Sequence, residues 1–431
     1  MILGIVIIIG ILFSLLLKSS GILTIDNNTF SFIIVTINSI ALLFYLLLKY
    51  SKPKKYFPCV LIYLAYLIRM GIAFFDVYIK DLNLSDADTF RTLAEQFSYT
   101  NLPIFNDQFS LTASILGSFY KIFGVQRFLL QHANVLLMVS AGIIVYSILT
   151  KLEVDDKAKN IALLWVLFSP WNVMLTSGTT REAEIIFLLT VSLYFFAKWF
   201  NENKTYWFVL SLLFVVAASL FHGGVIAVAI GYAIIFIFYD HKELKYKFSF
   251  YTVFSATVLI SLFSYVYIKW GDTLFVKLNG IEDIESISRY AGRSTGKAGY
   301  SAGGESVDSI IGLILYAPKR MFYFLFSPIP WEWRGIIDFM AFIGSSLIYL
   351  IAIISAIRVI LKKFDRSKQR KFVIAIFICC IIGVFVFSWG TRNAGTAIRH
   401  RDKFLSLFAV MFAASIDKRN LNKNFKKGER L

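Results

Sequence analysis

The chain has 431 residues, 58% of them hydrophobic and only 16% charged, with a net charge of +17. Soluble proteins carry about a quarter charged residues, and no soluble core of this size hides so much apolar side chain. Composition therefore excludes a water-soluble globule and makes the bilayer the solvent; where the positive charge sits then decides whether it speaks for nucleic acid or for membrane topology.

A helix needs about 20 apolar residues to cross the hydrocarbon. Taken in chain order, the apolar runs predict an all-α membrane protein of about twelve transmembrane helices, at 2–17, 30–49, 57–79, 127–150, 160–178, 183–200, 206–222, 223–240, 249–269, 335–361, 372–389 and 403–417. The first run has no small-residue cleavage site and is expected to stay as an anchor. Internal repeats and low-complexity tracts do not appear, so residues 1–431 are expected to form a single polytopic domain. Cys59, Cys379 and Cys380 all lie in apolar runs and read as packing residues.

Orientation follows from Lys and Arg, which concentrate on cytoplasmic segments. With the N-terminus inside, one face receives Lys49 to Lys55, Lys151 to Lys159, Lys198 and Lys204, Lys242 to Lys247, the run Arg358 to Lys371, and the tail from Lys418. Nearly all of the net charge falls on that face. Topology thus accounts for the charge without a nucleic acid partner, and both termini are expected in the cytoplasm. The tail reads as a topogenic run that also suits anionic membrane lipids. The larger outer loops then lie at about 80–127 and 270–334.

Segment 308–334 breaks the pattern, being apolar yet containing Pro318, Lys319 and Arg320. A full span here would turn the basic run Arg358–Lys371 outward. The segment is therefore expected to form an interfacial or re-entrant pair of short helices, which requires cover by protein or a water-filled cavity. The preceding loop Asp272–Asp308 carries Arg289, Arg293, Lys297 and several glycines. It suits a mobile lid or a plain outer loop equally.

Four outer motifs carry ionisable chemistry. The first is Ser85-Asp86-Ala87-Asp88, opening a helix. Its acids suit a helix N-terminus, or serve as general base or as ligand of a divalent cation. The second is Ser177-Gly178-Thr179-Thr180-Arg181-Glu182, a tight turn where the Arg181 fork matches phosphate oxygens or pairs with Glu182. The third, His222-Gly223-Gly224, offers a capping histidine, an acid–base group or a phosphate contact. The fourth brings Arg392, Arg399, His400 and Arg401 to the mouth of the last two spans. Positive charge outside opposes the topogenic rule, so an anionic substrate, outer carboxylates or lipid head groups must favour it. Arg69, within the third span, needs a reason of the same kind, and Asp76 or the Asp86/Asp88 loop is its expected partner.

This order resembles the multi-span GT-C glycosyltransferases, which include the protein O-mannosyltransferases and the aminoarabinose transferase. The resemblance rests on Asp86-Ala87-Asp88 in the first large outer loop and on Phe168-Ser169-Pro170 followed by Arg181-Glu182. Pro328-Ile329-Pro330-Trp331-Glu332 and Arg399-His400-Arg401 are similar to segments of envelope-glycan enzymes and O-antigen-type polymerases. It implies a bacterial-type cytoplasmic-membrane enzyme of cell-envelope polysaccharide biosynthesis. Such an enzyme moves a sugar from a polyprenyl-(pyro)phosphate donor to a glycan or lipid-linked acceptor on the extracytoplasmic face.

On that basis Asp86 or Asp88 is expected to deprotonate the acceptor. Arg69, Arg181, Glu182, Arg320, Arg392, Arg399, His400 and Arg401 are expected around the substrate. In the repeat-unit polymerase alternative His222 or His400 takes the proton. No cofactor is required, and a divalent cation is left open. The competing class is a lipid-linked oligosaccharide flippase, for which polar residues along the bundle and repeated halves are expected.

Overall fold

A computed structural model describes residues 26–50, 56–82, 87–255, 309–361 and 367–417, with positions 257, 258, 261, 265, 299, 300 and 302. The predicted spans 2–17 and most of 249–269, Asp86, most of the loop Asp272–Asp308 and the basic tail lie outside the described residues. What is described is overwhelmingly helical. Six helices are long and apolar enough to cross a membrane: Asn27–Lys49, Tyr56–Tyr78, Arg127–Lys151, Glu182–Glu202, Ile336–Ile360 and Lys368–Trp389. They correspond to six of the twelve predicted spans.

Contacts divide the chain into two compact units, a finer division than the single domain predicted. The first comprises residues 1–143 and 163–187. It holds α1 (Asn27–Lys49), α2 (Tyr56–Tyr78), α3 (Ala87–Ser98), α4 (Leu111–Phe123) and the first part of α5 (Arg127–Lys151). The end of α6 (Asp156–Phe168), α7 (Pro170–Thr176) and the start of α8 (Glu182–Glu202) complete it. Local sequence sets the helix ends. Asp26 caps α1 by accepting from the Asn28 and Thr29 amides at 2.8 and 3.0 Å, and Ser110 caps α4 through Ala113 N. Amphipathic α3 lies along α4 so closely that a Cβ on Gly117 would meet the Ala94 carbonyl at 2.6 Å. Phe90, Ala94, Leu116, Tyr120 and Leu130 form the core between them.

The predicted span 160–178 is interrupted, with α6 ending at Phe168 and α7 beginning at Pro170. Proline has no N–H to continue the ladder, and its ring disfavours a helical residue before it. The carbonyls released at the break need donors, and Arg69 on α2 supplies them. Its Nη1 donates to Leu167 O at 2.7 Å, Nε to Thr176 Oγ1 at 3.0 Å and Nη2 to Asn172 Oδ1 at 3.2 Å. Arg69 is fully buried, and its charge sits at the C-terminal, electronegative end of α6.

The second unit comprises residues 144–162 and 188–431. Its described helices are the remainders of α5, α6 and α8, then α9 (Thr205–Phe221), α10 (Ala227–Phe238), α11 (Ile310–Phe326), α12 (Ile336–Ile360), α13 (Lys368–Trp389), α14 (Ala394–Arg401) and α15 (Leu405–Ile416). A small antiparallel hairpin, β1 (Tyr239–Asp240) with β2 (Lys245–Tyr246), follows α10. Helices α10 and α13 approach so closely at Gly231 that a Cβ there would meet Cys379 Cα at 2.9 Å, the close contact that small residues permit between apolar helices. Ser309, Ser367 and Asn393 cap α11, α13 and α14. At 17 and 12 residues, α9 and α15 are shorter than their predicted spans suggest.

Segment 308–334 is one helix rather than a pair of short ones. Helix α11 continues through Pro318 to Phe326, and a single 3₁₀ turn follows at Pro330–Glu332. Arg334 then grips Asp338 through Nε and Nη2 at 2.8 and 2.7 Å, fixing the entry to α12. Within α12 a π-helical turn at Phe342–Ser346 re-aims two adjacent hydroxyls, Ser345 and Ser346.

Candidate functional site

In the first unit the acidic loop and the Arg181 turn come together. Asn134 holds the turn by donating Nδ2 to the carbonyls of Gly178 and Thr180 at 2.8 and 3.0 Å. Thr179 Oγ1 donates to Ala87 O at the start of α3, and the Arg181 guanidinium lies 5.4 Å from the Phe90 ring centre. Glu182 and Glu184 are buried in the first turn of α8, where acids suit the helix N-terminus.

Asp88 is not an isolated carboxylate. It pairs with Arg91 at 2.9 Å, one turn along α3. Arg91 also reaches Asp81, Asp81 reaches Arg127, and Arg127 reaches Asp76 at 2.5 Å. Asp76 is buried and further accepts from Gln131 Nε2 and Leu82 N, each at 2.7 Å. Asp76 is thus the partner of Arg127, and Arg69 is bound to α6 and α7 instead of to an outer carboxylate. The ladder Asp88–Arg91–Asp81–Arg127–Asp76 was not anticipated, because its members are scattered singly along the chain. Asp86 lies outside the described residues.

In the second unit the two histidine motifs converge. His222 ends α9 and stacks on Phe387 of α13, with ring centres 4.9 Å apart. His400 of α14 approaches His222 edge to face at 5.0 Å and Phe387 at 5.3 Å. Thr391 Oγ1 is 3.1 Å from His400 Nδ1 and sets the ring's orientation. Gly224 lets Phe387 fit under this turn, since a Cβ there would stand 2.9 Å from the ring. Arg392 and Arg399 flank the pair in sequence, and both are partly exposed.

The described end of the large outer loop docks here too. Tyr300 N donates to Arg392 O at 2.9 Å, its hydroxyl to Thr391 O at 3.2 Å, and Gly299 pairs with Asn393. Burial pushes the Tyr300 phenol up, with the positive field of Arg320, Arg401 and Arg392 partly opposing. Tyr300 therefore stays a neutral hydrogen-bond donor.

Arg320 and Arg401, predicted to bind substrate, are spent on the protein. Arg320 is buried, donates to the carbonyls of Ser388 and Trp389 at the end of α13, and lies 4.5 Å from the Trp389 ring centre. Arg401 is fully buried. Its Nη1 donates to Leu325 O and Ser327 O at 2.8 Å, its Nη2 to Ser345 and Ser346 Oγ at 2.9 Å, and its Nε to Ser345 Oγ at 3.1 Å. It closes the open end of α11 against the π turn of α12. Next to it Asp402 accepts from the Tyr349 hydroxyl at 2.9 Å.

Among the described residues, no three His, Cys, Asp or Glu side chains gather as a metal site. No protein-family model, curated protein or solved structure matches the chain.

Proposed function

We propose that this chain is a polytopic membrane glycosyltransferase using a polyprenyl-(pyro)phosphate-linked donor on the extracytoplasmic face, in its repeat-unit polymerase form. The observation that carries the proposal is the His222–His400 pair, oriented by Thr391 and flanked by the partly exposed Arg392 and Arg399. An imidazole is suited to moving a proton near neutral pH, and an arginine fork is suited to phosphate. Proton acceptor and anion binders sit on one wall, as glycosyl transfer from a phosphate leaving group requires.

In the proposed step one histidine takes the proton of the acceptor hydroxyl. That oxygen bonds to the donor sugar's anomeric carbon, whose bond to the phosphate oxygen breaks with the electron pair on the phosphate. Arg392 and Arg399 stabilise the charge that develops there. The single-sugar transferase form, with Asp86 or Asp88 as base, is less favoured because Asp88 already answers Arg91 at 2.9 Å. The acceptor in the polymerase form is a second lipid-linked glycan.

The proposal includes twelve spans, both termini in the cytoplasm and a role in cell-envelope polysaccharide assembly. Its test is reconstitution in lipid with a polyprenyl-diphosphate repeat unit, scoring donor binding and transfer separately. Transfer lost with binding kept in His400→Gln supports it. Unimpaired transfer in both His400→Gln and His222→Gln sinks it.

A further inference from the structure

A second site lies inside the first unit and is independent of the glycosyl-transfer proposal. Helices α1, α4 and α5 enclose a cavity of about 270 Å³. Its wall is mostly apolar, including Ile34, Phe123 and Ala133, with Asn38, His132 and Ser140 as the polar exceptions. Asn38 and His132 are each only 2% exposed. Among the described residues, Asn38 Oδ1 and His132 Nε2 have no hydrogen-bond partner. Two unmet polar atoms at one apolar cavity are unusual, because buried polar groups are nearly always paired.

The lining selects the ligand. A charged or polyhydroxylated molecule would lose its hydration against the apolar wall, while a pure hydrocarbon would leave Asn38 and His132 unmet. We propose that this cavity binds an apolar molecule carrying a single hydroxyl, as on the end of a long-chain or isoprenoid alcohol. The hydroxyl donates to Asn38 Oδ1 or exchanges a hydrogen bond with His132 Nε2, and the hydrocarbon fills the rest. Since benzene occupies a cavity of about 150 Å³, this one holds a body of about eleven heavy atoms.

The test uses the full chain in lipid nanodiscs, with empty nanodiscs as the partition blank. The probes are 2-naphthol and naphthalene, matched in shape and differing by the hydroxyl. The expected result is saturable 2-naphthol binding about tenfold tighter than naphthalene binding, the worth of one hydrogen bond. Asn38→Leu and His132→Phe should each shrink that difference, and Ala133→Phe should abolish both bindings by filling the space. In wild type, which needs no variant to fold, dodecanol should displace 2-naphthol and dodecane should not. Displacement by a diacylglycerol as well would place the hydroxyl on a membrane lipid; its failure would leave a free alcohol. Equal binding of the two probes, no saturable binding, or equal competition by dodecane would overturn the proposal.

Discussion

The imidazoles of His222 and His400 meet edge to face, 5.0 Å between ring centres, and each packs against Phe387. They come from two outer turns that are far apart in sequence, and neither turn alone has a reason to present a histidine. If the pair moves the acceptor proton, His400→Gln should lower transfer by a factor on the order of a hundred. Donor binding should change by no more than about twofold, well under the tenfold scale of one hydrogen bond. Thr391→Val, which releases Nδ1, should fall between His400→Gln and wild type. The wild-type rate should rise with pH through the ordinary imidazole range, near pH 6.5, and His400→Gln should lose that rise.

Arg399 and Arg401 are two positions apart and should fail differently. Arg401→Lys removes a fork that answers Leu325 O, Ser327 O, Ser345 and Ser346 together. A lysine cannot span them. The chain should lose about 2–3 kcal/mol of stability, the cost of orphaned buried acceptors, read as a lower thermal midpoint in detergent. Arg399→Ala should shift the midpoint far less and weaken donor binding about tenfold, as loss of a charge-assisted phosphate contact does. A stable Arg401→Lys protein with weakened donor binding would return Arg401 to the phosphate role that its motif suggests.

That difference marks the limit of what the sequence conveys. The long apolar runs at Tyr56–Tyr78 or Lys368–Trp389 are legible because a bilayer demands length and composition, both one-dimensional properties. The break at Ser169–Pro170 was written in the chain, since proline acts locally, but the apolar run around it masked it. The motif Arg399-His400-Arg401 shows that cations gather at one mouth. Which of them faces a ligand and which closes a helix end depends on the π turn at Ser345–Ser346, and composition carries no trace of that. Arg69 likewise finds its partners at Leu167, Asn172 and Thr176, acceptors that exist only because α6 stops early.

Stability should depend on pH through His241, in the hairpin between β1 and β2. Burial, then the charge of Lys368, lowers its proton affinity, with Asp240 partly opposing. The ring packs edge-on to Trp199 at 4.9 Å. The folded chain therefore binds fewer protons than the unfolded chain, whose histidine titrates near pH 6.5. The stabilisation is full above about pH 6.5 and is lost as pH falls through the lower folded value. The thermal midpoint should drop between about pH 7.5 and pH 5.5, and the drop should be smaller in His241→Gln. An equal drop in both proteins would assign the effect to other groups.

The proposed topology places Ile104 and Ala394 outside and Ser367 inside. The native Cys59, Cys379 and Cys380 are buried, so background labelling should be low. In intact cells an impermeant thiol reagent should modify Ile104→Cys and Ala394→Cys but should spare Ser367→Cys until the membrane is opened. Labelling of Ser367→Cys from outside would invert the orientation and move the histidine pair to the cytoplasmic face.

The most direct test of glycosyl transfer follows the wild-type chain in proteoliposomes given a polyprenyl-diphosphate repeat unit labelled in both lipid and sugar. The account predicts release of free polyprenyl diphosphate together with a lengthened lipid-linked glycan, at a rate that falls in His400→Gln. Intact donor recovered on the opposite leaflet, with no lengthened glycan and no free polyprenyl diphosphate, would contradict it and identify the chain as a flippase.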